Sequence, residues 1–424
     1  MLIAVDGTVL GLAVPALTAD LAPSATQILW IGDIYSFAIA GLLITMGNVA
    51  DRVGRKRLLL IGSIGFGIAS ALAAFSTSAE MLIAARAILG VSGATLMPST
   101  LSLIRNIFTV PAQRTRAIAV WSAGATAGAA IGPLVGGALL EHFWWGSVFL
   151  INVPVMLILV IGGIFLLPES KNPNPGPIDW FSSILSIAAI VPFVYAIKQI
   201  FGKQLDVWAI AAILVAVIAG ILFVRRQRRL DTPLVDVELF KIPAFSGAVF
   251  SNTIAIFAFS GLIFFFSQYL QLVRGFSPLI AGVAELPLTI ASIAVIFIIG
   301  WVLRKLGVGR AIGFGLGLAA VALALAVTGI GVGIAATLAT DAIVSSVPSE
   351  RAGAASSISE TGYELGVAMG IAVLGSLLTL FCRGGLALPA GTDPATAKAV
   401  SDSLASASSV LHGGGAEAAE LLAH

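Results

Sequence analysis

The sequence predicts an all-α polytopic membrane protein, and three observations carry that prediction. The 424-residue chain is 58% hydrophobic and only 10% charged, with a mean hydropathy of +1.04. A soluble domain averages roughly 45–50% apolar and about 25% charged residues, so this chain has too little polar surface to cover a water-soluble globule. Its apolar residues also fall into runs of about 20, the length a helix needs to cross hydrocarbon. Finally, nearly all cations sit between those runs. A soluble enzyme, a disordered chain and a nucleic-acid-binding protein are excluded at this step.

Spans are expected near 1–19, 27–46, 58–75, 81–104, 117–140, 148–167, 180–200, 207–224, 245–271, 278–303, 311–327, 329–347 and 352–380. All should be helices, because a span must satisfy its own backbone hydrogen bonds. The N-terminus lacks a basic n-region and a small-residue cleavage site, so it reads as part of a first span and not a signal peptide. Of 23 Lys and Arg, 17 fall on the side that holds Arg52, Arg55, Lys56, Arg57, Arg105, Arg114, Arg225–Arg229 and Arg351. Five lie opposite, and Arg86 lies inside a span. The bias places the richer loops and the N-terminus in the cytoplasm.

Two stretches fit less well. Residues 311–347 must hold two spans with only Thr328-Gly329 available as a turn. Residues 383–424 hold no further apolar span and read as an extracellular loop segment. An odd span count leaves the C-terminus outside, so the expectation is an abridged chain or one that omits segments of a longer protein.

Gly47-Asn-Val-Ala-Asp51-Arg52-Val-Gly54-Arg55-Lys56-Arg57 is echoed by Gly300 to Arg310 at a constant offset of 253. Transporters built from parallel repeats show weak internal symmetry of this kind. An acid at a helix end beside a cationic turn suits a charge latch, in which Asp51 pairs with a basic group or a helix N-terminus. The second copy has Arg304 in place of Asp51, so the latch is expected to be asymmetric. Gly124, Gly128, Gly132 and Gly136, followed by Gly137, line one face of the fifth span. That spacing permits close helix approach, and Pro133 removes a hydrogen bond. The row is either a plain packing face or a hinge, and the Gly-Pro step favours the hinge.

The one cysteine, Cys382, excludes an intrachain disulfide and a cysteine-based metal site. His142, His412 and His424 are too scattered for a metal cluster. No metal and no cofactor is expected.

With these motifs in place, the chain resembles the major facilitator superfamily. Gly47–Arg57 looks like its cytoplasmic loop motif, and Leu82–Gly93, containing Arg86, resembles its span-four arginine motif. Gly124–Gly137 resembles the span-five motif of its drug:proton antiporters. Asp6-Gly-Thr8 through Pro15 is similar to the span-one motif of the fourteen-span branch. Trp30-Ile-Gly-Asp33-Ile-Tyr35, Met97–Thr100 and Ser359-Glu360 through Gly366 tighten the match to QacA/LfrA-like biocide and multidrug efflux pumps. The resemblance implies two six-helix bundles plus an inserted two-helix hairpin, with 13 spans visible and 14 expected. The implied division is 1–167 for the first bundle, 178–224 for the insert and 245–380 for the second. The chain departs from the family in lacking the last span, a loop between spans eleven and twelve, and the usual polar tail.

Acids inside spans are the strongest pointers, because a carboxylate in hydrocarbon persists only for a reason. Glu360 and Glu364 share one helix face, with Glu364 roughly 18 Å along its span and so near the midplane. Burial favours the protonated carboxyl and a bound cation favours the ionised one, so a cationic substrate and a proton can displace each other. By resemblance, Asp33, Asp6, Glu360, Glu364 and Arg86 carry proton coupling, although Glu364 also fits a structural, internally bonded acid. Substrate contacts are assigned to Asp33, Glu360, Glu364 and Glu285, the last with function and structure evenly weighed. Asp341 lies near a helix end and reads as solvated or capping. Trp30, with Phe37 on the same face, suits stacking of a flat cation. Tyr35, Trp121, Tyr269 and Tyr363 fit the wall of a cation cavity or plain packing.

The sequence thus reads as a proton-coupled multidrug antiporter of the inner membrane, not an enzyme, driven by the proton gradient. It exports lipophilic cations such as quaternary ammonium compounds, cationic dyes and biguanides. The alternative is a same-fold antiporter of a physiological metabolite or lipid-like solute. Its partners are small cations, protons and the bilayer, with no nucleic acid, and it is expected to function as a monomer.

Overall fold

The computed structural model describes residues 2–23, 25–173, 179–201, 207–230, 233–270, 274, 276, 278–321 and 325–374. Among them the secondary structure is helical. α1 (Leu2–Leu21), α2 (Ala25–Val53), α3 (Arg55–Ala74), α4 (Ala79–Ile107), α5 (Pro111–His142), α6 (Ser147–Leu150) and α7 (Asn152–Leu166) form the N-terminal half. α8 (Trp180–Phe201) and α9 (Val207–Gln227) pair as a hairpin. α10 (Pro243–Gln268), α11 (Pro278–Val321), α12 (Leu325–Ser345) and α13 (Ala352–Met369) form the C-terminal half. At least eight of these helices are long and apolar enough to cross a bilayer. Large apolar side chains such as Ile158, Phe165, Leu166 and Trp208 are exposed, the arrangement expected where lipid replaces water.

Each half has an apolar core. Val9 and Leu17 of α1 meet Ile31 and Leu43 of α2, Phe66 of α3, Leu82 and Leu89 of α4, and Phe149. Across the halves, Ala119 of α5 packs on Val295, Ile299 and Val302 of α11 and on Leu338 of α12. Ile44 of α2 joins Leu185 of α8, Phe223 of α9, Phe245 of α10, Ile343 of α12 and Ile358 of α13. The hairpin therefore touches α2 as well as the C-terminal half. Its basic end is fixed by Asp179, which accepts from Arg226 Nε and Nη2 at 2.9 and 3.0 Å and from Ser182 Oγ at 2.6 Å. The Arg226 bonds hold the Asp179 carboxyl at about 2, well below its ordinary range.

The internal repeat has a structural counterpart. Gly54 and Gly307, equivalent at the offset of 253, are the positive-φ glycines among the described residues, at φ 115° and 72°. Side chains rarely adopt such a backbone, so each copy of the motif breaks its helix at the same place. The break at Gly307 lies inside a run otherwise helical from Pro278 to Val321, between the two spans expected at 278–303 and 311–327.

The turn expected at Thr328-Gly329 is not there. Both residues lie within α12, and Gly329 lets α12 approach α11 so closely that an added Cβ would lie 2.2 Å from Leu288 O. Ser292 Oγ donates to Gly329 O at 2.7 Å. In water a Thr-Gly pair marks a turn, whereas in a membrane bundle it marks a packing seam. The loop segment expected at 383–424 and the end of the thirteenth span beyond Leu374 lie outside the described residues.

Candidate functional site

In the N-terminal half, α1, α2, α3, α4 and α7 bring a charge network into the core. Arg86 is 1% exposed and Asp6 3%. Their ion pair is 3.2 Å long, Arg86 Nη1 to Asp6 Oδ2. Arg86 Nε also donates to Ile31 O, and its guanidinium lies 5.1 Å from the Tyr35 ring centre and 5.8 Å from that of Phe149. A buried charge is tolerated only with such partners. Asn152 Nδ2 donates to Ser70 Oγ at 3.2 Å and lies 3.5 Å from Asp6 Oδ1.

A small, partly open cavity lies between α5, α10, α11, α12 and α13. Its lining is largely apolar, with Trp121, Asn252, Phe259, Ser292, Thr340 and Tyr363 supplying rings and polar atoms. Trp121 Nε1 donates to Thr100 Oγ1 at 3.1 Å, which fixes the indole. Glu360 lies three residues before Tyr363 on α13; it is 2% exposed, and its Oε2 has no hydrogen-bond partner among the described residues. Glu364 is half-buried one turn further along.

At the arginine-rich end two contacts centred on carboxylates tie the halves together. Asp51 at the end of α2 accepts from Arg55 Nη2 at 2.6 Å. It also accepts from the first-turn amides of α13, Gly353 N at 2.9 Å and Ala354 N at 3.2 Å. The carboxylate thus caps a helix of the opposite half, where the free amides and the helix dipole favour negative charge. Arg55 Nη2 donates to Ser349 O at 2.8 Å. The helices cross at Gly47 and Gly353, where a Cβ on either residue would lie within 2.5 Å of the other's carbonyl oxygen. The second contact is Arg114 Nε to Asp341 Oδ1 at 2.7 Å, with Thr115 Oγ1 donating to Asp341 Oδ2 at 2.6 Å.

The remaining predicted residues are spread along these elements. Asp33 is half-buried on α2. Trp30, 46% exposed, stacks edge-on against Phe37 with centroids 6.4 Å apart. Tyr35 is buried in the Arg86 network, and Tyr269 at the end of α10 is 46% exposed, so the cavity gathers Trp121 and Tyr363 but not these three rings. Gly124, Gly128, Gly132, Gly136 and Gly137 all fall within α5. Gly136 meets Val9 of α1, and Gly124 faces open space. The side chains of Pro133 and Glu285 lie outside the described residues. Arg52 borders a polar pocket with Asp51, Asp236 and Arg351.

Sequence reasoning placed Asp341 in solvent or at a cap. It is instead buried in an ion pair with the other half, because Arg114 and Thr115 arrive from a helix more than 220 residues earlier. Asn152, Ser70, Arg114, Thr115 and Asn252 were missed. Arg114 carried a usable signal, being a cation just inside a helix N-terminus, where the dipole disfavours it unless an acid is near.

The model of the Major Facilitator Superfamily matches residues 1–371. The multidrug efflux pump LfrA of Mycolicibacterium smegmatis is 48% identical over 97% of this chain and 85% of its own length. The methyl viologen resistance protein SmvA of Salmonella typhimurium is 36% identical over 92% and 83%. In fold, the crystal structure of the human organic anion transporter MFSD10 (TETRAN) aligns with a TM-score of 0.58 at 17% identity, covering 88% of this chain and 84% of that one. The two halves, the repeated glycine break and these matches lead to one assignment: the chain belongs to the Major Facilitator Superfamily.

Proposed function

We propose that this chain is a proton-coupled efflux antiporter for lipophilic cations, with its arginine-rich end and N-terminus in the cytoplasm. The observation that carries the reading is the Glu360 carboxyl, buried on α13 three residues before Tyr363 of the ring-lined apolar cavity, with one oxygen left without a hydrogen-bond partner among the described residues. A carboxylate in such a place costs several kcal/mol unless it takes a proton or a cation. Exchange of one for the other is antiport. The efflux pump LfrA and the methyl viologen resistance protein SmvA support the substrate class, since methyl viologen is a flat dication. The 17-cation bias supports the orientation, and the two contacts at the basic end are those that alternating access would break and remake. Asp33, near Trp30 and Phe37 on α2, is assigned to cation entry, and the Asp6–Arg86 pair to the proton.

Ethidium efflux from cells producing the protein tests this reading. Asp33→Asn and Glu360→Gln should each abolish efflux while the protein remains in the membrane at normal levels. A protonophore should abolish efflux by the wild type. Unchanged efflux in both variants would remove these carboxyls from the mechanism.

A further inference from the structure

We propose that Asn152 is the positioning residue that allows Asp6 to be held in either protonation state, a proposal that rests on the proton-coupled reading above. Asn152 is 1% exposed at the first turn of α7. Its amide nitrogen serves Ser70 Oγ and points towards Asp6 Oδ1, while its amide oxygen has no hydrogen-bond partner among the described residues. The charged and titratable groups around Asp6 are Arg86 of α4 and Tyr35 of α2, and Glu364 of α13 acts electrostatically at Tyr35. Arg86 has donors only, so it can serve the ionised carboxylate but cannot accept a hydrogen bond from the neutral acid. The primary amide of Asn152 carries both a donor and an acceptor. With Asp6 ionised, the NH₂ group faces it. With Asp6 protonated, a turn of the amide presents the idle oxygen to the new O–H. Buried polar groups are costly when unpaired, and this side chain keeps Asp6 paired on both sides of the proton transfer. Within this pair the proton arrives on and leaves from Asp6; Asn152 exchanges none.

The test compares Asn152→Thr with Asn152→Val, two side chains of the same shape of which only threonine retains a donor and an acceptor. Two reactions are measured in proteoliposomes with ethidium: transport driven by an imposed pH gradient, and exchange of labelled for unlabelled ethidium at equal pH. Both variants should support exchange close to wild type. Asn152→Thr should keep gradient-driven transport within a fewfold of wild type, and Asn152→Val should lose about tenfold or more. Equal driven rates in the two variants would overturn the proposal, as would a Val variant that loses exchange in the same proportion, which would mark Asn152 as purely structural. A wild type indifferent to the pH gradient would instead overturn the proton-coupled reading itself.

Discussion

The carboxylate of Asp51 serves two masters, the Arg55 guanidinium on its own side and two amides of α13 on the other. Asp51→Asn keeps the side chain's shape but removes the charge that the helix dipole and Arg55 both favour. A charge-assisted contact of this kind is worth about 2 kcal/mol, so the variant should shift the equilibrium away from the state closed at the basic end by roughly thirtyfold. Cysteine labelling from that end, in a background where Cys382 has been replaced, would report the change. An unshifted labelling rate would show that the capping contact is not a latch. For the second contact, Arg114→Ala should open the same end, and the reversed pair Arg114→Asp with Asp341→Arg should restore closure in part. The acid and cations around Asp51 could be read as a latch because charge packed at a helix end is rare in so apolar a chain. Their partner could not be read, because α13 lies some 300 residues away and only the fold brings it near. Asn152 gave no signal at all, since a lone neutral amide barely changes the hydropathy of its span.

Among the helices, the same ambiguity attaches to glycine. Gly307 was expected in a connection and does break its helix, whereas Gly329 was read as a turn and instead marks close approach to Leu288. Composition does not separate these uses; the distinction depends on what packs opposite. At the crossing of α2 and α13 both helices contribute a glycine to such a seam. Gly353→Val should force the two helices apart and abolish closure at the basic end, with loss of transport but retention of the folded N-terminal half, checked by labelling and by protease resistance. The basic end of the hairpin offers a pH test. Asp179 is ionised more readily in the folded protein than in the unfolded chain, so its ion pair stabilises fully above the unfolded range near 4. That contribution is lost as pH falls towards about 2. Asp179→Asn should therefore destabilise the purified protein at pH 7 by no more than about 1 kcal/mol for a partly exposed pair, read as a lower melting temperature, and the difference should shrink as pH falls through about 2.

At the scale of the whole molecule, the halves meet through an apolar seam and polar contacts that include the Asp51 cap and the Arg114–Asp341 pair at one end, with the ring-lined cavity between α5 and the C-terminal helices. The helical membrane class was legible from composition, and the repeat from its constant offset. The pairing of helices was not, because uniformly apolar spans carry little information about their neighbours. The central claim is that proton and cation exchange through one protein, and it is tested most directly by measuring both fluxes together. Purified protein in liposomes with an acidic lumen and a trapped pH dye should take up external ethidium as lumenal protons leave, and dissipating the gradient should stop both. Glu360→Gln should stop both fluxes. Ethidium uptake that proceeds at the same rate with no pH gradient, or without alkalinising the lumen, would contradict the account.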